Sequence, residues 1–242
     1  MTDLTQETLA RLDTIRAGAQ SYSPSDETLQ KLTSSILVEL IAPAAEGKSR
    51  IMDEVAALDS DFSYVTGLTT RPPEERDVPG RYRYFNSDQE INELADSVDR
   101  RELVQYVTHP TTKHIYGSSP EDYRTAYCLL DTLYSAVADL DEIPFKAIFK
   151  IAIVSDGAEW MARFLERYPD TNEERAKRLK EAKQCLEWQL HQDPQSIIWI
   201  ENKKGEASNA AQELVSIVRG KRNARGGRVL AESMYNAIQD MI

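Results

Sequence analysis

Hydrophobic and polar positions along the chain keep one of two periods. Ile36, Leu37, Val38, Leu40 and Ile41 form a short, dense apolar run of β character, which predicts a buried strand. A turn of small residues follows. Ile51, Met52, Val55, Ala56 and Leu58 then recur at helical spacing, predicting a helix that begins at Lys48. Short aromatic strands are expected at 62–65 and in the stretch ending at Phe85. Residues 147–154 (AIFKIAIV) read as a second buried strand and 196–200 (SIIWI) as a last one. Helices are predicted at 4–17, with Leu4, Leu9, Leu12 and Ile15 on one side and Gly18 at its end, and from a Ser23–Glu27 loop and cap through Leu32. Further helices are expected at 171–191 (Leu179, Ala182, Leu186 and Leu190 on one face), 207–218, and 229–242 on Leu230, Met234, Ile238 and Met241.

Composition changes this picture only by exclusion. The 242 residues suffice for one large domain or a domain with an appendage, and no apolar run approaches the roughly 18 residues of a membrane span. A net charge of −11 argues against general nucleic-acid binding. The polar, acidic start MTDLTQETLARLD resembles neither a signal peptide nor a transit peptide. Cys128 and Cys185 are too far apart for a metal pattern and are expected to be buried, reduced thiols of a cytoplasmic protein. RGKRNARGGR (219–228), with five cations in ten residues, reads as a flexible solvated linker, with weak anion binding as the alternative. The arm before residue 34 is expected to pack against the main domain, or else to make a dimer contact; the chain is read as a monomer or homodimer.

Candidate chemistry begins where the first strand ends. Strand, small-residue turn, Gly47-Lys48-Ser49 and helix make a phosphate cradle: loop amides and the helix dipole face an anion, a lysine reaches the outer phosphates, and a serine hydroxyl takes Mg²⁺. The pattern G-x-x-x-x-G-K-[ST] fails at one place, where Ala42 stands for the first glycine. Ala45 also occupies a position often held by glycine.

Downstream, Thr69-Thr70-Arg71-Pro72-Pro73, the acidic turn Asp77-Val78-Pro79-Gly80 and the aromatic strand after it resemble the guanylate kinase family. Glu102–Tyr106 is similar to that family's E-F-x-E-W strand, Ile115–Ser118 to its Y-Y-G-[ST] turn and Cys128–Asp131 to its strand ending in D-I-D. Arg163 to Arg167, with Thr171, Glu173, Glu174 and Arg178, is similar to its lid. The resemblance runs in family order over about residues 34–218. It implies a three-layer P-loop NTPase core with a parallel sheet, a small β-rich acceptor-binding insertion (about 66–119), a helical lid (about 163–178), and extra N- and C-terminal helices. The implied division is an arm at 1–33, the kinase-like domain at 34–218, and a basic linker with terminal helix at 219–242. By the same resemblance Ala45, Glu46, Gly47, Lys48 and Ser49 would line the phosphates of ATP, with Ser49 and Asp131 serving Mg²⁺. Arg71, Tyr84, Gln105, Tyr116 and Ser118 would bind the acceptor nucleotide, and Arg167 and Arg178, with Lys48, would be catalytic.

Departures from the family pattern fall mostly on the acceptor side. Glu74 stands where a second phosphate-binding arginine is expected, leaving Arg76, Arg81 or Arg83 to replace it. Gln105 replaces a base-reading glutamate, Leu133 a base-reading aspartate, and a serine near Gly67 is missing. Counting places Arg83 at the acceptor tyrosine, with Tyr82 and Tyr84 on either side. His109 and His114 read as polar loop residues. Two readings follow: a nucleoside monophosphate kinase using ATP and Mg²⁺ on GMP or a shifted acceptor, and a guanylate-kinase-like nucleotide-binding or scaffold protein that has lost turnover.

Overall fold

The structure, a computed structural model, describes residues 4–75, 77–110, 112–221 and 226–241. In chain order the elements are α1 (Gln6–Gly18), α2 (Asp26–Gln30), β1 (Ile36–Ile41), α3 (Lys48–Leu58), β2 (Phe62–Tyr64), β3 (Gly67–Thr69), β4 (Tyr82–Tyr84), α4 (Asp88–Asp99) and β5 (Gln105–Thr108). There follow β6 (Ile115–Ser118), β7 (Tyr127–Asp131), α5 (Val137–Asp141), β8 (Ala147–Val154), α6 (Gly157–Arg167), α7 (Glu173–Leu190), β9 (Ile198–Glu201), α8 (Ala207–Val218) and α9 (Arg228–Gln239). Two compact units share the chain. The first takes the chain up to Ser35, Ser63–Cys128 and Ala136–Lys146; the second takes Ile36–Phe62, Leu129–Ser135 and the chain from Ala147 onward.

The second unit is the α/β core. β1 and β8 pair in parallel, from Ile36 opposite Ala147 to Ile41 opposite Ala152, and β9 continues the parallel set beside β8. The sheet order is β2-β7-β1-β8-β9. Parallel strands covered on both faces are apolar along most of their length rather than alternating; β1 from Leu37 to Ile41 and β8 from Ile151 to Val154 are fully buried, Glu39 being the charged residue among them. Helix α3 packs on α8, and α9 packs on both α6 and α7. Trp160 and Phe164 of α6, Leu179, Ala182 and Leu186 of α7, and Ala231, Met234 and Ile238 of α9 bury against Ala152, Val154 and Trp199 of the sheet. Burying a side chain as large as Phe164 stabilises the unit by roughly 1.5–3 kcal/mol. The face expected for α9 is right at Met234 and Ile238. Met241 lies beyond the helix end and is exposed, and Ala231 supplies the missing turn.

In the first unit a four-stranded sheet runs β4-β3-β6-β5, with β3 and β4 parallel and β6 antiparallel to both β3 and β5. Residues 115–118, expected as a turn, are therefore a central strand, hydrogen-bonded on both edges. Gly117 has a steric reason there, since a Cβ would come 2.6 Å from the Gln105 carbonyl oxygen. The insertion is also less purely β than expected. Helix α4 begins with a capping box between Ser87 and Glu90 and buries Ile91, Leu94 and Ala95. Helix α1 packs on α4, placing Leu12 and Ile15 in one cluster with Ile91, Leu94, Leu103 and Tyr106. The buried face of α1 is Thr8, Leu12 and Ile15; Leu9, expected on that side, is exposed. The Tyr106 hydroxyl donates to the Ile15 carbonyl (3.1 Å) and Arg11 Nη2 to Asp96 Oδ1 (2.7 Å), so polar as well as apolar contacts hold the arm.

Cys128 and Cys185 are both buried and free. Of the basic stretch 219–228, residues 222–225 lie outside the described residues, and Arg219 bonds Asp59 (2.7 Å) and Asp61 (2.6 Å). No helix among the described residues is long and apolar enough to cross a membrane.

Candidate active site

Strand β1 delivers the chain into a loop that ends at the N-terminus of α3. Gly47 precedes the helix in a left-handed conformation (φ +86°), and no side chain caps it. The first amides of the helix therefore lack intrahelical partners, and its dipole is directed at the loop. A Cβ at Gly47 would also meet Asn202 Nδ2 at 2.7 Å, so backbone and space both require glycine there. The non-glycine residues with positive φ, among those described, are Ala45 (+65°), Arg101 and Lys113. Ala42 is not one of them. The glycine missing at 42 therefore brings no backbone strain, and the strain sits at Ala45, at roughly 1–2 kcal/mol for a left-handed residue with a Cβ.

Four residues hold this loop from behind. Trp160 Nε1 donates to the Ala44 carbonyl (3.0 Å) and Asn202 Nδ2 to the Glu46 carbonyl (2.6 Å). The Glu46 side chain turns inward and is fully buried; its Oε2 accepts from Arg163 Nη2 (2.9 Å) and Ser155 Oγ (3.0 Å), while Oε1 has no hydrogen-bond partner. Burial pushes the Glu46 carboxyl up to about 8, against the opposing pull of Arg163 and Ser155. Glu46, Gly47 and Ala45 thus offer a phosphate only main chain. On the open side Lys48 Nζ donates to the Ala42 carbonyl (2.5 Å) and lies 3.4 Å from Asp131 Oδ1, at the end of β7. Ser49 is exposed in the first turn of α3. Uncapped helix amides, a lysine, a hydroxyl and a carboxylate are the donor set that ATP with Mg²⁺ requires, and these residues fit it.

The residues singled out for the acceptor, Leu133 apart, lie in the first unit. Arg71 forms a bidentate pair with Asp77 (2.8 and 2.5 Å), and its guanidinium lies 5.1 and 5.7 Å from the ring centroids of Tyr82 and Tyr84. The Tyr84 hydroxyl donates to Asp77 Oδ2 (2.6 Å). Side chains alternate along a strand, and Arg83 accordingly points away from Tyr82 and Tyr84, to the buried Asp122 (2.6 Å). Arg81 lies 3.8 Å over the Tyr64 ring, and Arg76 is outside the described residues. Tyr116 of β6 packs edge-on against Tyr82. Gln105, opposite Ser118 across β5 and β6, is buried, and its Oε1 has no hydrogen-bond partner; Ser118 Oγ bonds the Tyr123 hydroxyl (2.9 Å). Leu133 is half-buried.

The segment read as a lid comprises the end of α6, a link, and the start of α7. Arg163 and Arg167, four residues apart, part company: the first is half-buried and paired with Glu46, the second is exposed beside the Tyr168 ring. Arg178 bonds Glu181 (3.0 Å) and is mostly buried. Trp160, Ser155 and Asn202 had no role in the sequence reading, and Arg163, read as part of the lid motif, holds the Glu46 carboxyl instead.

A family model described as "Guanylate kinase" matches residues 34–215. The chain is 24% identical over 150 residues to guanylate kinase from Lactococcus lactis, covering 62% of this chain and 73% of that protein. It is 25% identical over 151 residues to guanylate kinase from Streptococcus mutans, covering 62% and 71%. The fold is similar to the crystal structure of guanylate kinase from Anaplasma phagocytophilum, with a TM-score of 0.53 at 16% identity over 84% of this chain and 96% of that one. A parallel α/β core with a phosphate loop after its first strand, matched by the family model over three-quarters of its length, places this chain in the guanylate kinase family.

Proposed function

We propose that the chain is a nucleoside monophosphate kinase that moves the γ-phosphoryl group of ATP to a nucleoside monophosphate, either GMP or a shifted acceptor. The observation that carries this reading is Lys48, held between the Ala42 carbonyl and Asp131 at the uncapped start of α3. An acceptor phosphate oxygen attacks the γ-phosphorus, the bond to the β-phosphate oxygen breaks, and ADP leaves. Such a transfer asks the protein for positioning and positive charge. Lys48 exchanges its carbonyl and carboxylate for the β- and γ-phosphates, and the α3 amides with the loop main chain hold the remaining oxygens. Ser49 and Asp131 would hold Mg²⁺, which would neutralise phosphate charge. Arg71 takes the acceptor phosphate, with Tyr116 and Tyr84 beside it; Gln105 offers its unpartnered amide oxygen to a base N–H, and Ser118 lies opposite it. Arg167 and Arg178 close on the transferring group, Arg178 by leaving Glu181.

One observation favours a second reading, a nucleotide-binding protein without turnover: Arg71 is already engaged by a carboxylate. A coupled assay with ATP, Mg²⁺ and each of GMP, dGMP, AMP, CMP, UMP and dTMP separates the two, run beside calorimetry of ATP on the intact chain and on Lys48→Ala. The kinase reading expects turnover with at least one acceptor, lost in Lys48→Ala together with most ATP affinity at unchanged thermal stability. ATP binding that ignores Lys48→Ala refutes the donor site. ATP binding without any turnover supports the second reading.

A further inference from the structure

The segment between β3 and β4 holds an anion of its own. Asp77 presents both oxygens to the Arg71 guanidinium, and Oδ2 also accepts from the Tyr84 hydroxyl (2.6 Å) and the Glu74 amide (2.7 Å). A planar guanidinium, a phenol and a main-chain amide converge on a carboxylate whose side chain is only 15% exposed. These donors suit a phosphate monoester equally well, because a guanidinium grips two oxygens of either anion in the same way. Arg71 holds the Asp77 carboxyl well below the usual carboxylate range, so it is an anion near neutral pH. The neighbourhood adds further negative charge. Glu74 Oε1 lies 3.7 Å from Arg71 Nη1, and Arg83 is paired with Asp122.

We infer that Asp77 is an internal competitor for the acceptor phosphate, so that a monophosphate reaches Arg71 and Tyr84 only by displacing the Asp77 carboxylate. This inference rests on the reading of Arg71 as the acceptor-phosphate ligand. Competition at the phosphate is blind to the base: it weakens every monophosphate, and inorganic phosphate, by one common factor. Leu133 and Gln105 act separately, on the choice of base. Asp77 thus sets how tightly this segment holds an acceptor anion, and not which base the acceptor carries.

Calorimetry of the full chain and of Asp77→Asn, with inorganic phosphate, GMP and AMP, tests this. Asparagine keeps the shape and an acceptor for the Glu74 amide. The expected result is a gain of about tenfold or more in affinity, common to all three probes, because a charge-assisted pair no longer has to be broken. ATP affinity should stay as in the parent, and Arg71→Ala added to Asp77→Asn should abolish the gain. A second readout needs no variant: in the parent protein, saturating phosphate should shift the Asp77 carboxyl ¹³C resonance. An Asp77→Asn protein that keeps the parent's circular dichroism and binds phosphate no better, or does not bind it, overturns the inference. So does a parent protein that binds a monophosphate while the Asp77 resonance stays still. Either failure with Lys48-dependent ATP binding intact strikes this inference and leaves the donor site standing; a failure of the kinase reading shows instead in the ATP titration.

Discussion

Arg163→Met removes the cation from a carboxyl that has no access to water. Glu46 is fully buried, its Oε2 has donors in Arg163 and Ser155, and its Oε1 has none. Breaking a buried pair costs about 3–5 kcal/mol when the remaining partner stays charged. Glu46 can avoid most of that by taking a proton, because burial already holds its carboxyl near 8. Near neutral pH the loss should then shrink towards that of the broken hydrogen bonds, about 1–3 kcal/mol. Arg163 is one of the groups pulling the carboxyl down, so in the variant it rises above 8.

The pH dependence follows with a definite sign. Unfolded glutamate releases its proton near 4.5, while the folded chain keeps it to about 8. The group's contribution to stability is therefore fully present below 4.5 and is lost as pH rises towards 8. In the variant the loss continues above 8, at up to about 1.4 kcal/mol per pH unit. Urea unfolding of the parent, Arg163→Met and Glu46→Gln with Arg163→Met, at pH about 6.5 and about 9.5, measures it. The single variant should be about 1–3 kcal/mol less stable at the lower pH and lose about 1–2 kcal/mol more at the higher. The double variant should lack the added loss. A destabilisation equal at both pH values, or one that persists unchanged in the double variant, refutes Glu46 protonation as its origin.

Two other substitutions probe the units separately. Ala45→Gly relieves a left-handed alanine (φ +65°) and, after the entropy cost of a glycine, should stabilise the chain by about 0.5–1 kcal/mol in a thermal melt. A fall instead would mean that the methyl packing against the Trp160 cluster outweighs the strain. Leu12→Ala, at a position 5% exposed between α1 and α4, should cost about 2–4 kcal/mol in urea unfolding; a loss below about 1 kcal/mol would show that the arm is peripheral to its unit.

What could be read in the sequence was what repeats locally. β1 and β8 announce themselves as apolar runs because both their faces are covered, and α8 does so through its 3.6-residue period. Helix α4 escaped notice because SDQEINELADSVD is mostly polar, although Ser87 and Glu90 at capping-box spacing and the Ile91, Leu94, Ala95 stripe were there to be found. Thr8 took a buried position that a hydrophobicity count gives to Leu9, since a threonine that bonds the Thr5 hydroxyl loses little by burial. The supports of the phosphate loop left no local trace of that role, and Arg163 stood out only as part of a lid-like motif. Ser155, Trp160, Arg163 and Asn202 reach it across 109, 116, 117 and 156 residues of chain. Only the fold brings them together.

The acceptor tyrosine shows how one residue of register decides a chemical assignment. Counting along the family pattern lands on Arg83, and a strand read without its pleat offers Tyr82, Arg83 and Tyr84 equally. β4 is paired in parallel to β3, with Tyr82 opposite Gly67 and Tyr84 opposite Thr69. The period of two therefore sends both tyrosines to the side of Arg71 and Arg83 to the other, where the buried Asp122 receives it. A rescue of the missing second arginine by Arg83 would need the strand to slip by one residue. Such a slip would strip both rings from Arg71 and leave Asp122 buried without its cation. On the proposed reading, phosphate binding by this segment rests on Arg71 and the hydroxyl of Tyr84, the two groups that Asp77 occupies.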